Sequence, residues 1–210
     1  MNALLHPTYI PNIATFAVIA QNAIKWEFFD NFQKQTLRNR AYICTDRGEL
    51  MLNIPIKHVG KGQGRQLYKD VKLENDYKWQ RQHWRALQTA YRTSPYFEFY
   101  EDEIAPLYTK TYTHLLDYNL KSIEIICSCL QIDMPTIKTK SYTREPTEDL
   151  DLRHFASAKK QIALAQPEYV QVFGDRHGFI KNASTLDLLF NEGTNALSYL
   201  KNLNINPENA

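Results

Sequence analysis

His6 stands between two leucines and a proline, in the run His6-Pro7-Thr8-Tyr9-Ile10-Pro11-Asn12. An imidazole is the side chain whose unperturbed charge changes near neutral pH, so His6 is a candidate general acid or base. The same ring could instead bond loop backbone and organise the turn, and the residue type leaves both roles open. Tyr9, in the same run, offers a hydroxyl to a ligand or a ring to the core. Pro7 and Pro11 fix φ and push His6 and Ile10 toward extended backbone, so this loop is not helical and the prolines support its shape.

A second group follows: Lys34, Arg38, Asn39 and Arg40. Arginine presents a planar fork to a carboxylate or phosphate and lysine a point charge, so Lys34, Asn39 and Arg40 are candidates to hold an anionic group. A solvated loop face is the alternative, and Arg38 is the member expected merely to face water. His83, beside Trp79 on an apolar helical face, is either a pocket residue or a hydrogen-bonded core histidine. Tyr96 and Tyr100 line a pocket or fill the core. Asp187 and Asn191 lie four apart and share a helical face, where an anchoring role is favoured. There is no CxxC pair, no HxxxH, no GxSxG elbow and no dinucleotide glycine fingerprint. Zinc, a serine nucleophile and a nicotinamide cofactor therefore have no positive support; no metal site is expected and no cofactor is named.

The elements that must position these residues read as follows. A short strand at 4–5 enters the first loop, and Asn12 can cap a helix whose Ile13, Phe16, Ile19 and Ala20 share one face. Trp26 to Phe29 suggests a second strand, making a right-handed parallel strand–helix–strand unit. Ligands in open α/β sheets sit beyond the carboxyl ends of strands, where the loops 6–12 and 30–40 both depart. A hairpin over 40–56 turns at Thr45-Asp46-Arg47-Gly48. Glycines 60, 62 and 64 make a basic flap-like loop, and 67–73 reads as a strand. Trp79, His83, Leu87 and Tyr91 mark an amphipathic helix, Pro95 breaks it, and a short aromatic helix follows. A long helix is expected from Pro106 to Gln131, a short helix over 154–165, a strand over 169–173, and a final helix capped by Ser184. The fold class is thus α/β: a small mixed sheet with an N-terminal strand–helix–strand unit, a hairpin, and packed helices in the second half. Residues 1–132 form an α/β core carrying the site and 133–165 a poorly patterned crossover or lid. Residues 166–202 form a C-terminal strand and helix packed back on the core, and 203–210 a frayed tail.

The 210 residues suit one domain, or one domain plus an appendage, able to bury roughly 70% of the unfolded chain's surface. With 25 basic and 23 acidic residues the charge is nearly balanced, which argues against nucleic acid as a partner and leaves room for one small anionic ligand. Cys44, Cys127 and Cys129 read as free thiols of a reducing compartment. No secretory leader or membrane-spanning run is evident, so a cytoplasmic location is expected.

The runs HPTYIPN, QKQTLRNR, LNIPI, KDVKL, WQRQHWRALQTAYRTSPYFEFYED and YVQVFGDRHGFIKNASTLDLLFNEG occur here in that order. In this the chain resembles the WbqC-like family, over most of its length, and QTLRNR with SPYFEFYEDE resembles its Bacteroidetes-type branch. Asn12 and Leu37 stand where the family commonly has aromatics. The resemblance implies a bacterial cytoplasmic step in making O-antigen or another surface polysaccharide: a transferase adding an amino-acid or acyl group to an activated sugar. Its ligand would be a small anionic molecule or a sugar nucleotide. Two alternatives stand beside this. One is a non-catalytic binding or assembly protein using its aromatic SPYFEFYED segment. The other is a nucleotidylyltransferase-like enzyme, suggested by HPxxxPN between strand and helix. The oligomeric state is not legible.

Overall fold

Ala3, Leu4 and Leu5 form β1 (Ala3–Leu5), and all three side chains are buried. Burial on both faces is the mark of a central strand in a parallel sheet. In this computed structural model, which describes residues 1–57, 64–159, 162 and 164–205, β1 lies between two parallel neighbours. On one side Ala3 is in register with Ile24 of β2 (Ile24–Trp26), and on the other with Leu150 of β6 (Leu150–Asp151). The outer strand β5 (Ile137–Lys138) pairs with β2, also parallel, so the order is β5-β2-β1-β6. The fold is α/β, and the antiparallel part lies in separate ladders. One is the hairpin of β3 (Arg40–Thr45) and β4 (Gly48–Asn53), turned at Asp46-Arg47 as its sequence predicts.

Helix α1 (Ile13–Gln21) crosses from β1 to β2. Asn12 caps it: its side-chain oxygen accepts the Thr15 backbone N–H at 3.0 Å. Seven consecutive residues, Ile13 to Ile19, are buried, as expected of a helix enclosed on all sides. Its outer neighbours are α7 (Thr185–Glu192) and α8 (Ala196–Asn202), and Gln21 ties α1 to the latter by donating to the Leu200 and Leu203 carbonyls. The amphipathic helix α2 (Trp79–Tyr91) buries Trp79, His83, Leu87 and Tyr91, the residues whose spacing announced it.

Several expected elements are redrawn. The second strand starts earlier than Trp26, because α1 stops where Asn22 donates to the Val18 carbonyl. It ends before Phe29, whose N–H turns back to the Glu27 carboxylate at 2.7 Å. Residues 67–73 do not form a strand. A 3-10 turn, Tyr68–Asp70, lets Tyr68 and Val71 both point into the core at 0% exposure. The long helix is split into α4 (Pro106–Thr109) and α5 (Leu115–Cys129). The break exists because Leu73 donates to the Thr113 carbonyl and Leu115 to that of Val71, which holds 113–115 extended. Among the described residues of 154–165, where a helix was expected, there is a 3-10 turn, Arg153–Ala156, and then β7 (Leu164–Ala165), paired with β8 (Asn204–Ile205). Residues 169–173 form no strand, because Tyr169 and Gln171 turn their side chains to Asp187. The expected glycine-rich flap falls largely on 58–63, outside the described residues.

Gly193 closes α7 with φ +54, and a Cβ built there would lie 2.6 Å from the Tyr96 ring. Gly193→Ala should therefore lower stability by roughly 1–3 kcal/mol, from overpacking and positive-φ strain together. Urea unfolding measures it.

Candidate functional site

The carboxyl ends of β1, β2 and β6 converge on one cavity of about 290 Å³, lined by His6, Asp30, Arg38, Tyr142, Asp151 and Arg153 among others. His6 follows β1 directly, Asp30 lies just past β2, and Asp151 ends β6. The strands therefore deliver one side chain each to the same rim. Arg38 comes from the 30–40 loop, and that loop is laced to both neighbours through a single residue. The Leu37 N–H donates to the Ala156 carbonyl at 2.8 Å, and the Leu37 carbonyl accepts from Tyr9 at 3.0 Å. Asn119, fully buried in α5, locks the arrangement by donating to the Arg38 carbonyl at 2.7 Å and to the Tyr68 hydroxyl at 2.7 Å. Tyr68 in turn donates to the Pro7 carbonyl. The Pro11 carbonyl accepts from both the N–H and the hydroxyl of Thr185. Between Pro7 and Pro11, Ile10 is held at φ 30 rather than in the extended backbone expected before a proline, a strained value for a β-branched residue.

Arg38 Nη2 lies 2.6 Å from His6 Nε2 and 2.9 Å from Asp30 Oδ2. A guanidinium only donates, so Nε2 must be the lone-pair nitrogen of a neutral ring. The proton then sits on Nδ1, 3.4 Å from the Glu27 carbonyl. Burial drives the His6 pKa down to about 4; Asp30 pulls it back upward and the Arg38 charge adds to the lowering. For Asp30 burial works upward, but His6 and Arg38 outweigh it and hold the carboxyl below its ordinary value. Burial also lowers the Arg38 pKa, against the pull of Asp30. Asp30 Oδ2 is 3.2 Å from His6 Nε2. A protonated His6 would thus exchange its Arg38 bond for one to Asp30. Arg38 is 2% exposed, and among the described residues its Nε and Nη1 have no hydrogen-bond partner.

The opposite wall belongs to the stretch whose sequence lacks periodicity. Arg153 makes two bonds to Asp151, of 2.8 and 2.6 Å, and donates to the Thr143 and Arg144 carbonyls. Its guanidinium also lies over the Tyr142 ring at 5.2 Å. One arginine thereby closes residues 142–144 over the rim. Among the described residues no group of three or more His, Cys, Asp or Glu side chains is placed to hold a metal ion.

The structure brings His6 to the loop bearing the basic cluster, but the guanidinium it meets is that of Arg38. Arg38, expected to face water, turns inward because Asn119 fixes its carbonyl. Arg40 is instead the first residue of β3, paired with Asn53, and does not line the cavity. Lys34 is exposed and Asn39 is buried, donating to the Ile54 carbonyl at 3.1 Å to secure the hairpin. Tyr9 and His83 form a separate buried chain: the Tyr9 hydroxyl lies 2.9 Å from His83 Nδ1 and 3.2 Å from the Tyr108 hydroxyl. Tyr96 packs against Gly193, and its N–H donates to the Phe190 carbonyl. Asp187 is sealed in α7, where its carboxylate accepts from Tyr169 and Gln171, and Asn191 donates to its backbone carbonyl. Of the SPYFEFYED aromatics, Phe97 and Tyr100 are buried and Phe99 is 69% exposed. Asp30, Asp151, Arg153 and Asn119 were not singled out from sequence. Asn119 had a signal, an amide at a core position of a helix whose neighbours there are apolar.

His6 and His83 both have folded pKa values of about 4, lowered from 6.5 by burial. The unfolded chain therefore binds more protons between those values. Stability present above pH 6.5 should be lost as the pH falls toward about 4. Urea midpoints across that window check this, and imidazole nitrogen shifts should report the Nδ1–H form of His6 near neutral pH. Asn119→Leu, which removes the donor shared by the Arg38 and Pro7 carbonyls and the Tyr68 hydroxyl, should cost roughly 1–3 kcal/mol in the same unfolding measurement.

The chain is 27% identical over 230 residues to "Uncharacterized protein Rv1507c" of Mycobacterium tuberculosis, covering 95% of this chain and 96% of that protein. No solved structure matches it. The model of the WbqC-like protein family matches residues 6–164, from His6 to the start of β7 and so across every residue of the cavity wall named above. The chain belongs to the WbqC-like protein family.

Proposed function

We propose that this protein is a group transferase whose His6 cavity takes an anionic, activated sugar or acyl compound, in the assembly of a bacterial surface polysaccharide. The observation that carries the reading is the triangle of His6, Arg38 and Asp30, set at the carboxyl ends of parallel strands and open to a cavity of about 290 Å³. That volume suits a sugar ring or an amino-acid-sized group.

The chemistry follows from who owns the His6 lone pair. At rest Arg38 occupies Nε2, and the ring cannot act as a base. A carboxylate or phosphate entering the cavity competes for the guanidinium, as a charged acceptor outbids a neutral nitrogen. Nε2 is then free to take the proton of an acceptor hydroxyl or amine while that atom attacks the activated carbon. The bond to the leaving group breaks, and the leaving group departs with the electron pair. Asp30, 3.2 Å from Nε2, stabilises the imidazolium that forms. Nδ1–H, directed at the Glu27 carbonyl, keeps the ring in its plane. A cytoplasmic setting goes with this reading, since the free thiols suit it and activated sugars are made there.

The test is a thermal-shift screen of sugar nucleotides and acyl donors, followed by turnover on whatever stabilises the protein. His6→Gln should keep the fold and reduce turnover by roughly 10²–10⁴-fold, while Arg38→Lys should raise KM more than it lowers kcat. Full turnover in His6→Gln would remove the assignment.

A further inference from the structure

The Glu27 side chain is a buried acid that the transfer chemistry does not use. It is 0% exposed, and among the described residues it takes part in no ion pair. Burying an ionisable group is costly, and burial raises the Glu27 pKa against the pull of its own hydrogen bonds. Those bonds show what the residue does.

Glu27 stands where β2 leaves the sheet. Its N–H still belongs to the ladder and donates to the Leu5 carbonyl at 2.8 Å. Its side chain then ends the strand. One carboxylate oxygen, Oε1, accepts the Phe29 N–H at 2.7 Å, so the chain folds back on residue 27. The hydroxyl of Thr139, the residue after β5, donates to the same oxygen at 3.2 Å and accepts from the Phe28 N–H at 3.4 Å. A polar side chain that captures nearby backbone N–H groups competes with continued strand pairing, and here it wins.

The turn made this way touches both nitrogens of the imidazole. The Glu27 carbonyl lies 3.4 Å from His6 Nδ1, and Asp30 Oδ2, three residues on, lies 3.2 Å from Nε2. The first contact is long for an N–H···O bond, so the main product of the turn is the place it gives Asp30, which also meets Arg38 at 2.9 Å. Tyr68 and Lys69 support the turn from outside, their N–H groups donating to the Asp30 and Phe28 carbonyls at 2.8 and 3.3 Å. Among the described residues, only the Glu27 carboxylate closes the turn on itself.

We infer that Glu27 is a positioning residue for the His6–Asp30 pair: its Oε1, shared by Phe29 and Thr139, shapes the turn that carries the Asp30 carboxylate to His6 Nε2. The use of that pair in transfer rests on the His6 reading; the positioning does not. Residue 27 has to supply an acceptor oxygen rather than a charge, since Oε2 has no hydrogen-bond partner among the described residues.

NMR titration of the Asp30 carboxyl carbon and the His6 ring nitrogens, on the full chain and with no substrate present, tests it. Glu27→Gln keeps the acceptor and should leave both signals near wild type; Glu27→Leu removes it. The Asp30 titration lies below the ordinary carboxylate value in the wild type. In Glu27→Leu it should rise by about 0.5 pH unit or more, and the His6 Nδ1–H resonance should be lost to solvent exchange. Thr139→Val, a change of one hydroxyl at a half-buried position, should move the Asp30 titration in the same direction by less. An unmoved Asp30 titration in Glu27→Leu overturns the inference; if that variant does not fold, an unmoved titration in Thr139→Val does so instead. The same rise in Glu27→Gln also overturns it, because charge and not the acceptor would then be the cause. None of these results touches the transferase reading, and full turnover in His6→Gln would remove that reading while leaving the Asp30 result standing.

Discussion

A guanidinium at 2% exposure is the constraint around which the rest of this site is arranged. Removing a charge from water costs on the order of several kcal/mol even after relaxation. The fold offsets that with Asp30 and with a histidine kept neutral. Once Arg38 is buried, much else is forced. Its loop must be tied to the first loop and to the 153–157 turn, which Leu37 does through its two backbone groups. Its carbonyl must find a donor in the core, which Asn119 supplies. The imidazole beside it must present a lone pair, which sets the tautomer. Charge, tautomer and loop path are one arrangement, and altering any of them unsettles the other two.

Much of the frame was legible in the sequence because it rests on local physics. Asn12 before an apolar run is a helix cap wherever it occurs. Prolines at 7 and 11 exclude helix between them. The four-residue spacing from Trp79 to Tyr91 declares one face of α2. Where these rules stop, the reading fails in a consistent way. Strands of two residues, such as Leu150–Asp151, have no periodicity to detect, so the wall bearing Arg153 reads as formless linker. The split between α4 and α5 depends on the Leu73 N–H and the Val71 carbonyl, both distant in sequence, which no local pattern contains.

The site shows the same division. That His6 and the basic loop share a crevice follows from strand order, because both leave the carboxyl ends of adjacent parallel strands. Which arginine would be buried could not be read from QTLRNR, since Arg38 and Arg40 are chemically identical. The choice is made by Asn119, distant in sequence, and by the start of β3 at Arg40. Asp30 was passed over for a related reason: an acid after an aromatic strand end looks the same whether it pairs with solvent or with a buried cation.

One feature of the sheet bears on how the molecule comes into being. Its inner strand β1 precedes both of its partners in the sequence: β2 follows at Ile24–Trp26, but β6 is encoded at positions 150 and 151. The rim of the cavity likewise runs from His6 to Ser157. One edge of β1 is met early by β2, but the other stays open until Leu150 is reached, a long-separation closure of the kind that slows folding. A chain cut before that point would lack β6 and with it the Asp151–Arg153 wall, so the rim of the cavity exists only once this long span has been closed.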